Sequence, residues 1–111
     1  MIGFNRWDVW LAYVTFEDCT LKKQRPVVVL SEDTVFVLSL KLTSHSPRYN
    51  RFEGEYEILK WQEAGLLKPT VVRCGRVLQV EKSDMIKQLG TLDQADINGL
   101  VAILRYMNIV D

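Results

Sequence analysis

Four short runs of β-branched and aromatic residues constrain the fold of this 111-residue chain more than any other feature. Such runs predict β-strands, and the polar or glycine-containing segments between them predict turns and loops. The runs are DVWLAYV (8–14), RPVVVL (25–30), TVFVLSLKL (34–42) and TVVRCGRVLQV (70–80). With helices at the C-terminal end, their order predicts an α+β fold built on a small, strongly bent antiparallel sheet or open barrel.

Glycines and capping residues divide the second half of the chain. Gly75 predicts a bulge or bend within the 70–80 strand. Ser83 to Gln88 is predicted to be a short helix that begins at Ser83 and stops at Gly90. Thr91 or Asp93 is predicted to cap the last helix, whose buried face has helical spacing at Ile97, Leu100, Val101, Leu104 and Met107.

The length fits a single domain over residues 1–111. Apolar residues make up 48% and charged residues 25%, which are ordinary globular values and exclude a disordered tail or a polybasic arm. A chain of this size buries little surface and is only marginally stable alone. Exposed strand edges are also stabilised when another chain covers them. We therefore expect a homodimer.

Cysteine usage and hydropathy indicate a reducing cytoplasm. Cys19 and Cys74 lie far apart and form no CxxC pair, and one histidine with two cysteines makes a poor zinc ligand set. Arg6 and Asp8 interrupt the segment in which a signal peptide would be apolar. No apolar run approaches the ~20 residues that span a bilayer. We expect no metal and no cofactor.

The net charge of zero conceals an uneven distribution. Residues 1–21, 22–51, 52–80 and 81–111 carry −2, +4, 0 and −2. The positive segment holds two polar loops and the strand edges between them, which suggests a patch for a polyanion such as RNA. The alternative interpretation is a solvent-exposed face that binds no partner, because charge counts of this kind are weakly specific for a binding site.

A few residues have the types that phosphate chemistry needs, whereas GxGxxG, P-loop, HExxH and GxSxG motifs are absent. Arg25 begins a strand, Thr43, Ser44 and His45 end another, and Arg73 lies in a late strand. A guanidinium offers phosphate oxygens a fixed fork of donors, hydroxyls donate to the same oxygens, and histidine titrates near neutral pH.

Each of these residues also has an ordinary structural interpretation. Arg25 could pair with an acidic neighbour, Thr43 could be a plain strand residue, and His45 could be a loop surface residue. Four aromatic residues could stack on bases, namely Trp7, Trp10, Tyr13 and Phe16, but their alternating spacing favours the core for several of them. Trp61 is predicted to be a core anchor.

The chain resembles the MazF/PemK family of ribonuclease toxins from type II toxin–antitoxin modules. Four pieces match in order and span most of the chain: DVWLAYV (8–14), QRPVVVL (24–30), KLTSH (41–45) and KPTVVRC (68–74), followed by a capped C-terminal helix. The resemblance implies an SH3-like barrel with a C-terminal α-helix, usually a homodimer. It also implies metal-independent, sequence-selective cleavage of single-stranded RNA that leaves a cyclic phosphate, and a cognate antitoxin that blocks the RNA groove.

The resemblance assigns roles to individual residues. Arg25 corresponds to the catalytic arginine of the family and Thr43 to the threonine that stabilises the transition state. The hairpin loop from Glu17 to Gln24 corresponds to the loop that contacts RNA, and Arg73 to the arginine of VVRC in plasmid-borne members. The predicted RNA contacts are therefore Lys22, Lys23, Gln24, Ser44, Arg48 and Arg73.

Two departures from the plasmid-borne members affect the acid–base set. Gly75 stands where they carry an aspartate, and Lys22 and Lys23 occupy the first loop in place of their histidine. The pKa of arginine lies above 12, which makes Arg25 a poor base at neutral pH. Our hypothesis is that Arg25 stabilises charge and that His45 assists proton transfer.

The departures leave other functions open. The chain could be a non-catalytic module of the same fold that binds RNA or an antitoxin without cleaving. It could also serve only to capture an antitoxin. Binding of an oligonucleotide without cleavage would distinguish the first of these from an endoribonuclease.

Overall fold

The computed structural model describes residues 3–15, 21–44 and 54–109. The described residues form a sheet, a short 3-10 turn at Lys82–Asp84 and a C-terminal helix. In chain order the elements are β1 (Asp8–Thr15), β2 (Lys22–Glu32), β3 (Phe36–Ser44), β4 (Glu55–Glu57), β5 (Thr70–Glu81), β6 (Met85–Thr91) and α1 (Gln94–Tyr106).

The strands form one antiparallel sheet in the order β4-β5-β3-β2-β1-β6. The short β4 and β6 are its two edges, so the sheet bends without closing. This architecture confirms the expected α+β fold, a strongly bent antiparallel barrel with a C-terminal α-helix.

Apolar residues cover both faces of the sheet. On one face, α1 contributes Leu100 and Leu104 to a core that includes Val9, Val28 and Leu40, all fully buried. A smaller cluster buries the other face around Trp10, Val27, Val29, Val37 and Val80. Both faces of the central strands are therefore buried, which accounts for the nearly continuous valine run in β2.

The bend of β5 lies at the predicted glycine. Leu40 of β3 pairs with Val77, whereas the next residue, Lys41, pairs with Arg73. Residues 74–76 of β5 are accommodated between these two pairs, and Gly75 is the middle one. The predicted bulge is confirmed, and such an insertion strengthens the local twist that a bent sheet needs.

The predicted helix over Ser83–Gln88 is wrong. Only Lys82–Asp84 forms a 3-10 turn, and the chain then continues as the edge strand β6. Its partner is β1, with Asp8 opposite Thr91 and Leu11 opposite Lys87. Pairing with a distant strand outweighs the weak local helix propensity of this segment.

The last helix begins as predicted. The Asp93 carboxylate caps α1 by accepting a hydrogen bond from the Ala95 amide at 2.9 Å. The Thr91 hydroxyl instead donates a hydrogen bond to the Asp8 carboxylate, at 3.1 Å.

The aromatic residues differ in burial. Trp10 belongs to the smaller core and Trp61 packs against the larger one. Tyr13 is 41% exposed, and Phe16 lies outside the described residues. Among the described residues, no helix is long and apolar enough to cross a membrane.

Candidate functional site

A groove opens where β2 and β3 separate. Their ladder runs from Glu32–Val37 to Val27–Lys41. Past that point β2 continues along β1 as far as Lys22, while β3 continues along β5 as far as Ser44. Pro26 begins the separation and has no N–H to donate to a ladder. The groove between the two arms has a volume of about 680 Å³.

The separation brings the two main sequence candidates into one groove. Arg25 lines it from β2, and Thr43 and Ser44 line it from β3. Arg25 is exposed, and its Nη1 donates a hydrogen bond to the Gln24 carbonyl at 3.1 Å. Thr43 is half-buried and Ser44 is exposed. Residues that carry a guanidinium and two hydroxyls therefore line the same volume, and these are the donor groups that a phosphate group requires.

The floor of the groove is apolar and continues the larger core. Leu11, Pro26 and Leu42 line it, and Leu11 pairs with Pro26 on one side and Lys87 on the other. Residues directly opposite in adjacent strands project from the same face of a sheet. The floor is thus the part of the sheet face that the helix leaves uncovered.

The second wall is the segment from Gly65 to Thr70, together with Lys87 and Leu89 of β6. Gly65 has a φ of +86°, and a Cβ there would lie 2.1 Å from the Leu89 carbonyl oxygen. A Cβ at Gly90 would lie 2.5 Å from the Ala64 carbonyl oxygen. Two glycines therefore allow this segment to lie directly against the backbone of β6.

A buried carboxylate fixes the chain where it leaves β4, ahead of this wall. Asp96 of α1 is fully buried and accepts hydrogen bonds from the amides of Leu59 and Lys60 at 2.8 and 2.9 Å. It also accepts one from the Tyr56 hydroxyl at 2.6 Å. Burial and this hydrogen bond raise the pKa of Tyr56, so the phenol stays protonated as the donor. At the other end, the Thr70 hydroxyl donates to the Lys68 carbonyl at 2.8 Å.

The groove is cationic although the chain is neutral. Arg25, Lys41, Lys68 and Lys87 line it, and no carboxylate is among its lining residues in the described chain. Within the described residues, the three lysines also form no ion pair. Sequence reasoning missed these lysines as site residues, although Lys68 lies in the KPTVVRC piece that carries the resemblance.

Other predicted RNA contacts lie outside this lining. Lys22 pairs with Asp84 at 2.7 Å, and that hydrogen bond raises the pKa of Lys22. Arg73 Nε lies 3.1 Å from the Glu55 carboxylate. The Gln24 side-chain amide donates to the Tyr13 hydroxyl at 3.4 Å.

The remaining sequence candidates include some that the structure does not describe. Lys23 is exposed on β2. His45 and Arg48 fall outside the described residues, as does half of the predicted loop contact from Glu17 to Gln24. Among the described residues, no three His, Cys, Asp or Glu side chains come together as a metal ligand set.

The position that departs from the plasmid-borne members lies away from the groove. Gly75 sits on the β5 bulge, where a Cβ would lie 3.8 Å from the Met107 methyl group at the end of the helix. Gly75 is not among the residues that line the groove.

Comparison with known proteins agrees with the fold. Residues 5–107 match the family model of the PemK-like, MazF-like toxin of type II toxin–antitoxin systems. No curated protein matches the chain. Among solved structures, an endoribonuclease in complex with its cognate antitoxin from a mycobacterial species superposes with a TM-score of 0.69 at 14% identity, covering 96% of each chain.

A second solved structure has the same fold. The Mycobacterium tuberculosis toxin MazF-mt6 superposes with a TM-score of 0.63 at 20% identity, covering 92% of this chain and 99% of that one. At such identities the structural likeness supports the architecture alone, whereas the family match extends over nearly all of the sequence. The chain belongs to the PemK-like, MazF-like toxin family of type II toxin–antitoxin systems.

Proposed function

We propose that this protein is a metal-independent, sequence-selective endoribonuclease that cleaves single-stranded RNA as the toxin of a type II module. The observation that carries the proposal is the meeting of Arg25 and Thr43 in one cationic groove. These are the two residues that the family resemblance assigns to catalysis, and they come from strands that separate at this point. The absence of a carboxylate from the lining among the described residues favours an anionic substrate.

The chemistry needs only groups that the chain supplies. The ribose 2′-oxygen attacks the adjacent phosphorus, the bond to the 5′-oxygen breaks, and the products carry a 2′,3′-cyclic phosphate and a 5′-hydroxyl. Negative charge develops on the non-bridging oxygens, where the Arg25 guanidinium and the Thr43 hydroxyl donate hydrogen bonds. A base takes the 2′-proton and an acid returns one to the leaving oxygen.

We assign assistance in proton transfer to His45, two residues after Thr43. Its ordinary pKa lies near neutrality, whereas arginine stays protonated. A His45→Gln variant should lower the cleavage rate and remove a titration near neutral pH from the pH–rate profile. An unchanged rate and profile would contradict the assignment.

A cleavage assay tests the proposed activity. Mixed RNA is incubated with the protein in EDTA, and new 5′ ends are mapped. Arg25→Ala and Thr43→Val should each lower the rate by about 100-fold or more, because each removes a donor to the charge that develops in the transition state. Arg105→Ala is the matched control, since Arg105 is exposed on α1 away from the groove.

The outcomes separate the proposed activity from simple binding. No new 5′ ends with the wild-type protein would contradict the proposal. Binding of single-stranded RNA without cleavage would identify a non-catalytic module of the same fold.

The same function implies partners and a cellular location. We propose single-stranded RNA as substrate, a cognate MazE-like antitoxin as inhibitor, and the cytoplasm as the site of action. We also propose a homodimer, because the sheet leaves β4 and β6 as edges and such edges favour pairing or cover. Sedimentation at micromolar concentration should give about twice the 12.9 kDa chain mass, and a monomer mass would contradict it.

A further inference from the structure

Two Leu-Lys pairs on one segment differ in their relation to the groove. Leu59-Lys60 and Leu67-Lys68 lie on the same segment between β4 and β5, and all four side chains are exposed. Leu59 is 70% exposed and Leu67 is 96% exposed. Only Leu67 and Lys68 line the groove.

Leu67 is one of several leucines that line the groove. Leu11, Leu66 and Leu89 line the groove with it. None of these side chains offers a hydrogen-bond donor or acceptor. The surface therefore suits a flat group that binds through its face, as a nucleobase does.

Cations stand on both sides of this apolar surface. Arg25 and Lys41 belong to β2 and β3, Lys68 to the segment before β5, and Lys87 to the edge strand β6. Lys87 is separated from Pro26 by the single strand β1, so Lys87 and β2 are about 10 Å apart at the backbone. An apolar surface between separated cations matches a nucleotide with its phosphates on either side.

The wall that carries Leu67 and Lys68 is held in place before any ligand binds. Gly65 lies against the β6 backbone, Asp96 holds the start of the segment, and Thr70 holds the Lys68 carbonyl. A contact surface that is already ordered avoids the entropic cost of ordering on binding.

We propose that Leu67, Lys68 and Lys87 form a nucleotide subsite next to the cleavage site, with the base against Leu67 and a flanking phosphate at each of the two lysines. The proposal rests on the proposed function, since it takes the occupant to be single-stranded RNA. The subsite accepts any base, because apolar side chains cannot read base edges. Sequence selectivity must therefore arise elsewhere in the protein.

Binding of an RNA that resists cleavage tests the subsite without relying on catalysis. A fluorescent 2′-O-methyl oligonucleotide lacks the 2′ nucleophile, and its affinity is measured by anisotropy at several salt concentrations. Lys68→Gln and Lys87→Gln should each reduce the slope of log K against log [salt] by about 0.7, the value for one single-strand phosphate contact. Leu67→Ala should weaken binding about tenfold with an unchanged slope, because it removes apolar contact and no charge.

The second Leu-Lys pair supplies matched controls. Leu59→Ala and Lys60→Gln remove the same groups from the same segment outside the groove, and both should bind within about twofold of wild type. The loss caused by Leu67→Ala should also agree within about twofold among oligo-U, oligo-A and oligo-C, because the apolar contact is base-tolerant.

Several results would overturn the subsite. These are unchanged slopes in both lysine variants, equal losses in the control pair, strong base dependence of the Leu67→Ala effect, or no oligonucleotide binding by wild type. A preference for poly-glutamate that needs the same residues would assign the groove to an acidic peptide. Cleavage of unmodified RNA is scored separately, so the subsite and the proposed activity can fail independently.

Discussion

Cys74 shows how burial of one residue alters its chemistry. The thiol is fully buried beside Val72, and burial, with a smaller contribution from the Glu55 charge, raises its pKa from an ordinary value of 9.0 to about 12. In the unfolded chain the same thiol ionises at its ordinary pKa. Its contribution to stability is therefore complete below pH 9 and is lost as the pH rises toward 12.

The alkaline loss of stability can be measured by urea unfolding between pH 7 and 11. Above pH 9 the thiol should lower the free energy of unfolding by up to about 1.4 kcal/mol per pH unit. Cys74→Ala should be less stable near neutral pH, because it leaves a small cavity, but its stability should fall less steeply at high pH. An identical slope in the two proteins would contradict the role assigned to burial.

Gly65 carries a different kind of constraint, one of backbone geometry. A Cβ there meets the Leu89 carbonyl at 2.1 Å, and a φ of +86° is strained for any other residue. Gly65→Ala should therefore cost about 2 kcal/mol or more in thermal unfolding and should also lower RNA cleavage, because the groove wall is displaced. Gly3→Ala is the control, since nothing lies within 4 Å of a Cβ there. A fully stable, fully active Gly65→Ala would show that the close approach does not position the wall.

The contact between α1 and the segment after β4 depends on Asp96. Its carboxylate is fully buried and accepts three hydrogen bonds, from Tyr56, Leu59 and Lys60. Asp96→Asn replaces one acceptor oxygen with a donor that faces other donors, and we expect a loss of about 2 to 3 kcal/mol in urea unfolding. Tyr56→Phe removes one donor and should cost about 1 kcal/mol.

The double variant tests whether these residues act as one unit. Because Asp96→Asn removes the charge that strengthens the Tyr56–Asp96 hydrogen bond and Tyr56→Phe removes the bond itself, their combined effect should be smaller than the sum of the single effects. Strict additivity would indicate that the two residues stabilise the protein independently. The exposed Gln94 and Asn98 pair on the same helix, joined at 2.8 Å, is a suitable surface control.

The elements that the sequence predicted are those with strong local signals. The valine-rich β2, the bulge at Gly75 and the cap at Asp93 follow from patterns a few residues long. The edge strand β6 was missed because its conformation depends on pairing with β1, more than 70 residues earlier in the chain. Ile86 is its one β-branched residue before Thr91, so the segment carries little strand propensity of its own.

Some residues of the groove could be predicted from the sequence and others could not, again because only local signals are visible there. Arg25 and Thr43 lie in the segment with the clear positive excess and in pieces that match the family. Lys68 and Lys87 lie in segments whose charges are 0 and −2, so counting by segment conceals them. Folding separates the charges that the segment count adds together. Acidic groups such as Asp96 form hydrogen bonds in the interior, whereas the lysines line the groove.

This distribution determines how the neutral protein should respond to salt. A protein without net charge has little long-range attraction for RNA, so its electrostatic affinity must come from local contacts. The four groove cations, Arg25, Lys41, Lys68 and Lys87, set the number of phosphates that the groove can contact. With about 0.7 counterions released per single-strand phosphate, the slope of log K against log [salt] should be no steeper than about −3. Anisotropy titrations with the 2′-O-methyl oligonucleotide measure it directly. A steeper slope that Lys22→Gln and Lys23→Gln bring back to this value would show that the first hairpin contacts RNA too, as the family resemblance implies.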